Sequence, residues 1–169
     1  MTTRIWRFVS FVGLAFVMAI SQVGVASAVT TPPQLCTVDS FNGCWRDQNN
    51  LDTADNPVVI ANKCSGGCPA TGIQLVDQHV KYDGFEVYQI KFAAHPSLCI
   101  GVKNDDTYME TRTCSAHGTA WAKTNDRQWI NRGASEDIGQ KMYACSFNVN
   151  GDRMFVGLAG CSNTVFTLQ

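Results

Sequence analysis

The eight cysteines are the residues with the most distinctive chemistry in this sequence. Thiolates bind zinc, and Cys64 and Cys68 have a C-x₃-C spacing that supplies two ligands. A second pair at suitable spacing and a neighbouring histidine are missing, so we expect no metal. Eight cysteines in a chain of 169 residues indicate an oxidising compartment and disulfide bonds. We therefore expect four disulfide bonds, no free thiol and no cofactor.

Residues that serve in catalysis are scattered along the chain. The three histidines, His79, His95 and His117, lie far apart, and no serine has a G-x-S-x-G setting. Asp105 and Asp106 are adjacent, but a hairpin turn explains them. A glycosidase needs two carboxylates facing each other across a cleft, and the order of these residues does not suggest such a pair. We expect no enzyme activity, and a secreted enzyme is the least favoured hypothesis.

Three loops combine aromatic rings with amides and carboxylates, which suits polyhydroxylated ligands. The richest contains Trp45, Arg46, Asp47, Gln48, Asn49 and Asn50. The second contains Asn104, Asp105, Asp106 and Tyr108, and the third contains Asn148, Asn150, Asp152 and Phe155. The alternative interpretation places Trp45, Trp121 and Trp129 in the core and treats the Asn and Asp residues as ordinary turn formers. Turn chemistry is the favoured explanation for any single one of these residues.

Composition limits the partners of the chain. The formal net charge is -1, so no polybasic surface for nucleic acid is indicated. The sequence is 45% hydrophobic and 16% charged, which is typical of a folded domain and not of a disordered chain.

The first 28 residues have the three parts of a secretory signal peptide. Arg4 and Arg7 give a positive start, the segment 8–20 is apolar, and Ala26-Ser27-Ala28 is a small-x-small cleavage site. The apolar segment is shorter than the roughly 20 residues of a membrane-spanning helix. We expect cleavage after Ala28, secretion, no membrane association after cleavage, and a single disulfide-bonded domain over residues 29–169.

Short strands dominate the mature sequence. Phe85 to Phe92 alternates strictly between apolar and polar residues, which predicts a half-buried strand. Asp83-Gly84 and Asn150-Gly151 are hairpin dipeptides, and no long helical periodicity is present. Many short strands with turns between them predict an all-β barrel or sandwich. The expected core residues are Val59, Ile90, Ile100, Val102, Trp121, Val156 and Leu158.

Three cysteine cassettes repeat along these strands. A first cysteine in a short strand (Cys44, Cys99, Cys145) is followed 15 to 20 positions later by a second that ends another strand (Cys64, Cys114, Cys161). The middle unit resembles the repeat of ricin B-type β-trefoil lectins in the order of its residues, which runs from Tyr88 through Cys99 and Cys114 to Trp121. The resemblance implies three four-stranded units around a pseudo-threefold axis, closed into a barrel.

Within this scheme we expect the pairs Cys44–Cys64, Cys99–Cys114 and Cys145–Cys161, each closing one hairpin. Cys36 and Cys68 lie just outside the first of these pairs, where antiparallel strands would bring them together as Cys36–Cys68. A rival pairing joins Cys36 to Cys44 and Cys64 to Cys68. Eight cysteines allow 105 connectivities, so both pairings stay open.

The lectin resemblance also implies a sugar pocket, but its residues are mostly replaced. The family's pocket uses an Asp two positions after the first cysteine, and Arg46, Gly101 and Phe147 stand there. The aromatic position before the second cysteine holds Asn62, Arg112 and Ala159, and no Gln-x-Trp follows. Asp47 lies one position late and would serve if a bulge redirects it. The expected ligand site is Trp45, Asp47, Asn49 and Asn50.

These observations predict a secreted, monomeric, non-catalytic protein that binds an extracellular glycan or glycoconjugate through surface loops. The alternative hypothesis is a protein-interaction or protease-inhibitor module, because trefoils also present loops to proteases; its partner would be another secreted protein.

Overall fold

The computed structural model describes residues 32–38, 43–62, 71–103, 107–147, 151–161 and 165–169. Several predictions fall outside these residues: the signal peptide of residues 1–28, Cys64, Cys68, Asn104, Asp105, Asp106, Asn148 and Asn150. Within the described segments, no helix is long and apolar enough to span a membrane.

The described chain is all-β, as the strand pattern predicts. The elements are β1 (Leu35–Thr37), β2 (Gly43–Asp47), β3 (Val58–Asn62), β4 (Ile73–Tyr82), β5 (Phe85–Phe92), β6 (Leu98–Val102), β7 (Met109–Thr113), β8 (Ala120–Lys123), β9 (Trp129–Asn131), α1 (Arg132–Ile138), β10 (Met142–Cys145), β11 (Phe155–Gly157) and β12 (Phe166–Leu168). The β4–β5 hairpin turns at Asp83 and Gly84, whose φ angles of 51° and 82° are those of the favoured two-residue hairpin turn.

The strands form three sheets joined by single bridges. Their orders are β12-β1-β2-β3, β11-β10-β9-β8-β5-β4 and β6-β7. These ladders do not close into a continuous barrel. One bridge joins Gln34 to Gly72, beside β1 and β4, and another joins Gln128 to Val165, beside β9 and β12. The gap between β1 and β4 and the gap between β9 and β12 are therefore each crossed by a single bridge.

Three hairpins, β2–β3, β6–β7 and β10–β11, meet in a cyclic pattern that we call the hairpin cap. Each contributes one residue to a bridge with the next hairpin: Pro57 with Glu110, Tyr108 with Phe155, and Arg153 with Val59. Backbone hydrogen bonds follow the same cycle, from Thr111 to Asn56, Val156 to Thr107 and Ile60 to Asp152. The hairpins thus contact each other in three equivalent ways.

The core lies under this cap. Val58, Met109 and Met154 occupy equivalent positions in the three hairpins and are fully buried. Trp45 packs edge to face against Trp121 and Phe166, with ring centroids 5.8 Å and 5.3 Å apart. Such aromatic pairs add stabilisation beyond their buried area.

Six of the seven expected core residues are buried, and Leu158 is not. Leu158 is 50% exposed. The prediction assumed that the alternation of β11 continues to Leu158, but the strand ends at Gly157. A turn follows, in which the Cys161 amide donates to the Leu158 carbonyl. Leu158 therefore belongs to a surface turn and not to a strand face.

The structure contains Cys99–Cys114 and Cys145–Cys161, as expected, and a Cys36–Cys44 bond. The expected Cys36–Cys68 and Cys44–Cys64 pairs are wrong. β1 and β2 are antiparallel neighbours with Cys36 directly opposite Cys44, and their Cα atoms are 3.9 Å apart. Across β3, Cys44 faces Ala61. The described part of the chain has no free cysteine.

The helix α1 was not predicted, because it has only seven residues and no repeating apolar pattern. Its ends carry ordinary signals. The Asn131 side chain accepts a hydrogen bond from the Ala134 amide, and Gly139 ends the helix with a φ of 74°.

Replacing Ile100 and Leu158 separately by alanine tests the core. We expect Ile100→Ala to lower the free energy of unfolding by about 2–5 kcal/mol, because it leaves a cavity in the core. Leu158→Ala should change it by less than about 0.5 kcal/mol, because an exposed side chain loses little packing. Urea unfolding of both variants measures the difference. Equal losses would contradict the strand register described here.

Candidate functional site

Trp45, the expected stacking residue of the first loop, lies in the core. Its relative exposure is 0%, and both neighbouring rings belong to the core cluster. A ring with no accessible face cannot stack on a ligand, so the binding role predicted for Trp45 is wrong. The alternative interpretation of Trp45, Trp121 and Trp129 as core aromatics is the one that the structure shows.

Asp47 is also buried, and its carboxylate serves the backbone. Oδ1 accepts hydrogen bonds from the amides of Asn49 (3.1 Å) and Asn50 (3.0 Å). Oδ2 has no hydrogen-bond partner among the described residues. Burial raises the pKa of Asp47, because desolvation penalises the charged form, while the two amides and His95 act in the opposite direction. Asp47 therefore closes a turn, and the prediction that it faces solvent is wrong.

His95 joins this loop from the turn after β5. Its Nε2 lies 3.2 Å from Oδ1 of Asn50 and 3.7 Å from Oδ2 of Asp47. Its Nδ1 lies 3.7 Å from Oδ1 of Asp52. Acceptor oxygens thus stand beside both ring nitrogens, and the imidazole links the first loop to the next turn of the chain.

This cluster does not have the geometry of a nucleophile and its base. Ser97 donates its hydroxyl hydrogen to Asp52 at 3.0 Å, and not to His95. A triad needs the serine hydroxyl on the imidazole and the imidazole held by the acid. Asn49 is exposed and donates to the side chain of Asn56, which is buried and anchors the same loop. The first loop is therefore organised mainly by its own hydrogen bonds.

A second group of predicted residues comes together elsewhere, at the junction of the β6–β7 and β10–β11 hairpins. Tyr108, Phe147, Asp152 and Arg153 line a cleft of about 310 Å³. Phe155 packs behind Phe147. Of these five residues, which we call the aromatic cleft, the sequence predicted Tyr108 for the second loop and Asp152 and Phe155 for the third. The fold places the described residues of both loops side by side.

Strand alternation and the hairpin cap position these side chains. Met154 and Val156 point into the core, so Arg153 and Phe155 point away from it. The Tyr108–Phe155 bridge and the hydrogen bond from the Met109 amide to the Met154 carbonyl (2.9 Å) fix the two hairpins relative to each other. The backbones of the two hairpins are therefore hydrogen-bonded to each other beneath the cleft, so the cleft is largely preformed.

The rings of the cleft are accessible. Phe147 is 58% exposed and stacks on Phe155 at 4.8 Å between ring centroids, which leaves its outer face open. Tyr108 is 42% exposed. The guanidinium carbon of Arg153 lies 4.4 Å from the Tyr108 ring centroid, a cation–π contact.

The cleft contains two charged side chains of opposite sign. Asp152 and Arg153 are half-buried, and neither forms an ion pair with the other or with another described residue. The Nε of Arg153 is buried and has no hydrogen-bond partner among the described residues, so a ligand reaches this guanidinium only through its terminal nitrogens. The Asp152 carboxylate and these nitrogens lie beside open aromatic faces, where they offer an acceptor and donors to a ligand.

Another pocket, of about 220 Å³, lies between the β7–β8 turn and α1. Its charged groups are already paired: His117 with Asp137 at 3.1 Å, and Arg132 with Glu136 at 2.7 Å. The described residues contain no cluster of three or more His, Cys, Asp or Glu suited to a metal ion. The aromatic cleft therefore has the stronger geometry for a ligand.

No family model, curated protein or solved structure matches the chain.

The sequence analysis missed Phe147 and Arg153 as functional residues. Phe147 was noted only as a departure from the lectin pattern. One signal was available: Arg153 and Phe155 flank Met154 in an alternating segment that follows the Asn150-Gly151 turn. That alternation predicts one face carrying a cation and an aromatic ring.

Asp47→Ala tests whether the buried carboxylate is structural. We expect it to lower the free energy of unfolding by about 1–3 kcal/mol, because the amides of Asn49 and Asn50 lose their acceptor. Thermal or urea unfolding measures this, with Asp126→Ala as the exposed control. An unchanged stability in Asp47→Ala would mean that the carboxylate lies at the surface.

Asp47→Asn tests the raised pKa. The folded protein holds the Asp47 proton more tightly than the unfolded chain, so the associated stability is present below the ordinary pKa of 3.8 and lost as pH rises through the raised value. The asparagine variant does not titrate there. Its stability relative to the wild type should therefore rise between about pH 3 and about pH 7. A constant difference across this range, measured by urea unfolding, would contradict the pKa direction.

Proposed function

We propose that the protein is a secreted, monomeric, non-catalytic carbohydrate-binding protein that takes a glycan or glycoconjugate into the aromatic cleft. The observation that carries the proposal is the open face of Phe147 beside Asp152 and Arg153, neither of which forms an ion pair with a described residue. This moves the binding site away from the first loop, where Trp45 and Asp47 are buried.

Each part of the cleft matches a feature of a sugar ring. The C–H face of a pyranose is apolar and packs on an aromatic face such as Phe147. Hydroxyl groups donate to the Asp152 carboxylate and accept from the Arg153 guanidinium. At about 310 Å³ the cleft is at the small end of ligand sites, which suits one end of a glycan. Affinity should be weak, on the order of micromolar to millimolar, because few contacts are buried.

We also propose that the fold is a β-trefoil. The three equivalent bridges of the hairpin cap support threefold repetition. The Gln34–Gly72 and Gln128–Val165 bridges support a ring of β1, β4, β5, β8, β9 and β12, whose other neighbours pair as ladders. The resemblance to ricin B-type lectins suggests the same fold, although the aromatic cleft differs from the pocket that this resemblance implies.

Secretion is part of the proposal. Three disulfide bonds in a small β domain suit an oxidising compartment outside the cytosol. The signal peptide expected at residues 1–28 agrees with that location.

A glycan array followed by calorimetry of any hits tests the function. Phe147→Ala should weaken binding at least about ten-fold, because it removes the stacking face, and Asp152→Asn should weaken it because a hydroxyl acceptor loses its charge. Neither change should alter the melting temperature by more than a few degrees, since Phe147 is exposed and Asp152 is only half-buried.

Matched controls separate the cleft from general surface effects. Ile138→Ala removes another exposed apolar side chain, and Asp126→Asn removes another exposed acid. Both should bind as the wild type does. If no glycan binds but a secreted protein forms a stoichiometric complex that Phe147→Ala disrupts, the sugar proposal is wrong and the cleft belongs to an interaction module.

A further inference from the structure

We infer that the glycan taken by the aromatic cleft is acidic, with a carboxylate on the sugar ring that pairs with Arg153. This inference rests on the proposed function and names its ligand class.

The state of Arg153 is the main argument. Its guanidinium is held over Tyr108 and forms no ion pair or side-chain hydrogen bond with the described residues. A half-buried cation that forms no close ion pair among the described residues is costly, and an incoming anion relieves that cost. A planar guanidinium also presents two parallel donors, which match the two oxygens of a carboxylate.

The neighbouring acid on the cap, Glu110, feels the charge of Arg153 but forms its ion pair with Arg112. Glu110 is buried, and its Oε1 lies 3.8 Å from Nη1 of Arg112. Burial raises the pKa of Glu110, which makes its carboxylate a weaker competitor for the arginine, while the positive charges of Arg112, Lys103 and Arg153 each act to lower that pKa. Asp152 is the acid of the cleft itself, and it lines the cleft without forming an ion pair with Arg153. Hydroxyl groups therefore suit Asp152, and the carboxylate of the ligand suits Arg153.

The chemistry of a uronic acid fits this arrangement. Its pyranose ring keeps an apolar face for Phe147, and its carboxylate projects from the edge of the ring rather than from that face. A ring stacked on Phe147 can therefore direct its carboxylate sideways toward a charged wall. A neutral hexose uses the same ring face but offers Arg153 only hydroxyl oxygens, which are weaker acceptors than a carboxylate.

The test compares uronic acid oligosaccharides with their methyl esters and with neutral hexose oligosaccharides of the same length. Calorimetry on the full mature protein should show at least about ten-fold tighter binding of the free acids. The preference should shrink as salt concentration rises, because the paired charges are partly exposed.

Variants assign the preference to one side chain. Arg153→Gln should reduce the ratio of acid to ester affinity to near one, and Arg153→Lys should retain part of it. Asp152→Asn should weaken both ligands but keep the ratio. Lys81→Gln, which removes a positive charge from β4, outside the cleft, should leave both affinities unchanged. The ratio is insensitive to general loss of folded protein, so a destabilised variant still gives an answer.

The outcomes separate this inference from the proposed function. Equal affinity for acids, esters and neutral sugars in the wild type, with loss of all three in Phe147→Ala, would overturn the acidic class and leave the cleft as a sugar site. No binding of any sugar would overturn the proposed function itself. An acid preference that survives Arg153→Gln would also overturn the inference, because the carboxylate would then be recognised elsewhere.

Discussion

The cyclic contact between three hairpins is the constraint on which the rest of this structure depends. In each contact a backbone amide of one hairpin donates to a carbonyl just before the second strand of the preceding hairpin, as Val156 does to Thr107. These hydrogen bonds fix which residues of each strand face inward. Val58, Met109 and Met154 then close the core from above, and the residues on either side of them must face outward. The cap therefore sets both the packing below it and the surface above it.

The three junctions of the hairpin cap share one backbone arrangement but carry different side chains. Pro57, Tyr108 and Arg153 are equivalent to one another, as are Val59, Glu110 and Phe155. Among these six positions, an aromatic ring meets another aromatic residue only where Tyr108 pairs with Phe155. Backbone hydrogen bonding does not depend on side-chain type, so the frame tolerates this divergence. Backbone hydrogen bonds therefore hold the hairpin cap together, while side chains give the junction of the β6–β7 and β10–β11 hairpins its chemical character.

The sequence predicts what depends on local pattern. The all-β class, the Asp83-Gly84 turn and the burial of Ile90 and Trp121 follow from alternation and turn chemistry, and all agree with the structure. The error at Asp47 also has a local cause. Trp45 and Asp47 are two apart in β2, so if one is buried the other shares its face, while Arg46 faces out. Treating Trp45 and Asp47 as surface residues placed the whole strand face on the wrong side.

The assembly of the aromatic cleft could not be predicted from the sequence, for a different reason. Tyr108 and Phe155 are separated by a helix, four strands and several turns, and nothing in their local pattern shows that they meet. The first disulfide illustrates the same limit, because the similar order of strands and cysteines in three cassettes suggested equivalent pairing. The register of β1 against β2 instead placed Cys36 directly opposite Cys44. Contacts that depend on how distant strands assemble require the structure.

The first loop, around Asp47, and the aromatic cleft differ in how their polar groups are partnered. Around Asp47 the chain provides partners within itself: two amides for Oδ1, and His95 beside Oδ2. Polar groups enclosed in this way stabilise a loop and leave little for a ligand to bind. At the cleft, Asp152 and Arg153 are neighbours in sequence with opposite charges, yet neither forms an ion pair with the other or with another described residue. The Asp47 carboxylate is enclosed, even though its Oδ2 accepts no hydrogen bond from a described residue, whereas the charged side chains of the cleft stand beside exposed aromatic rings that a ligand can reach.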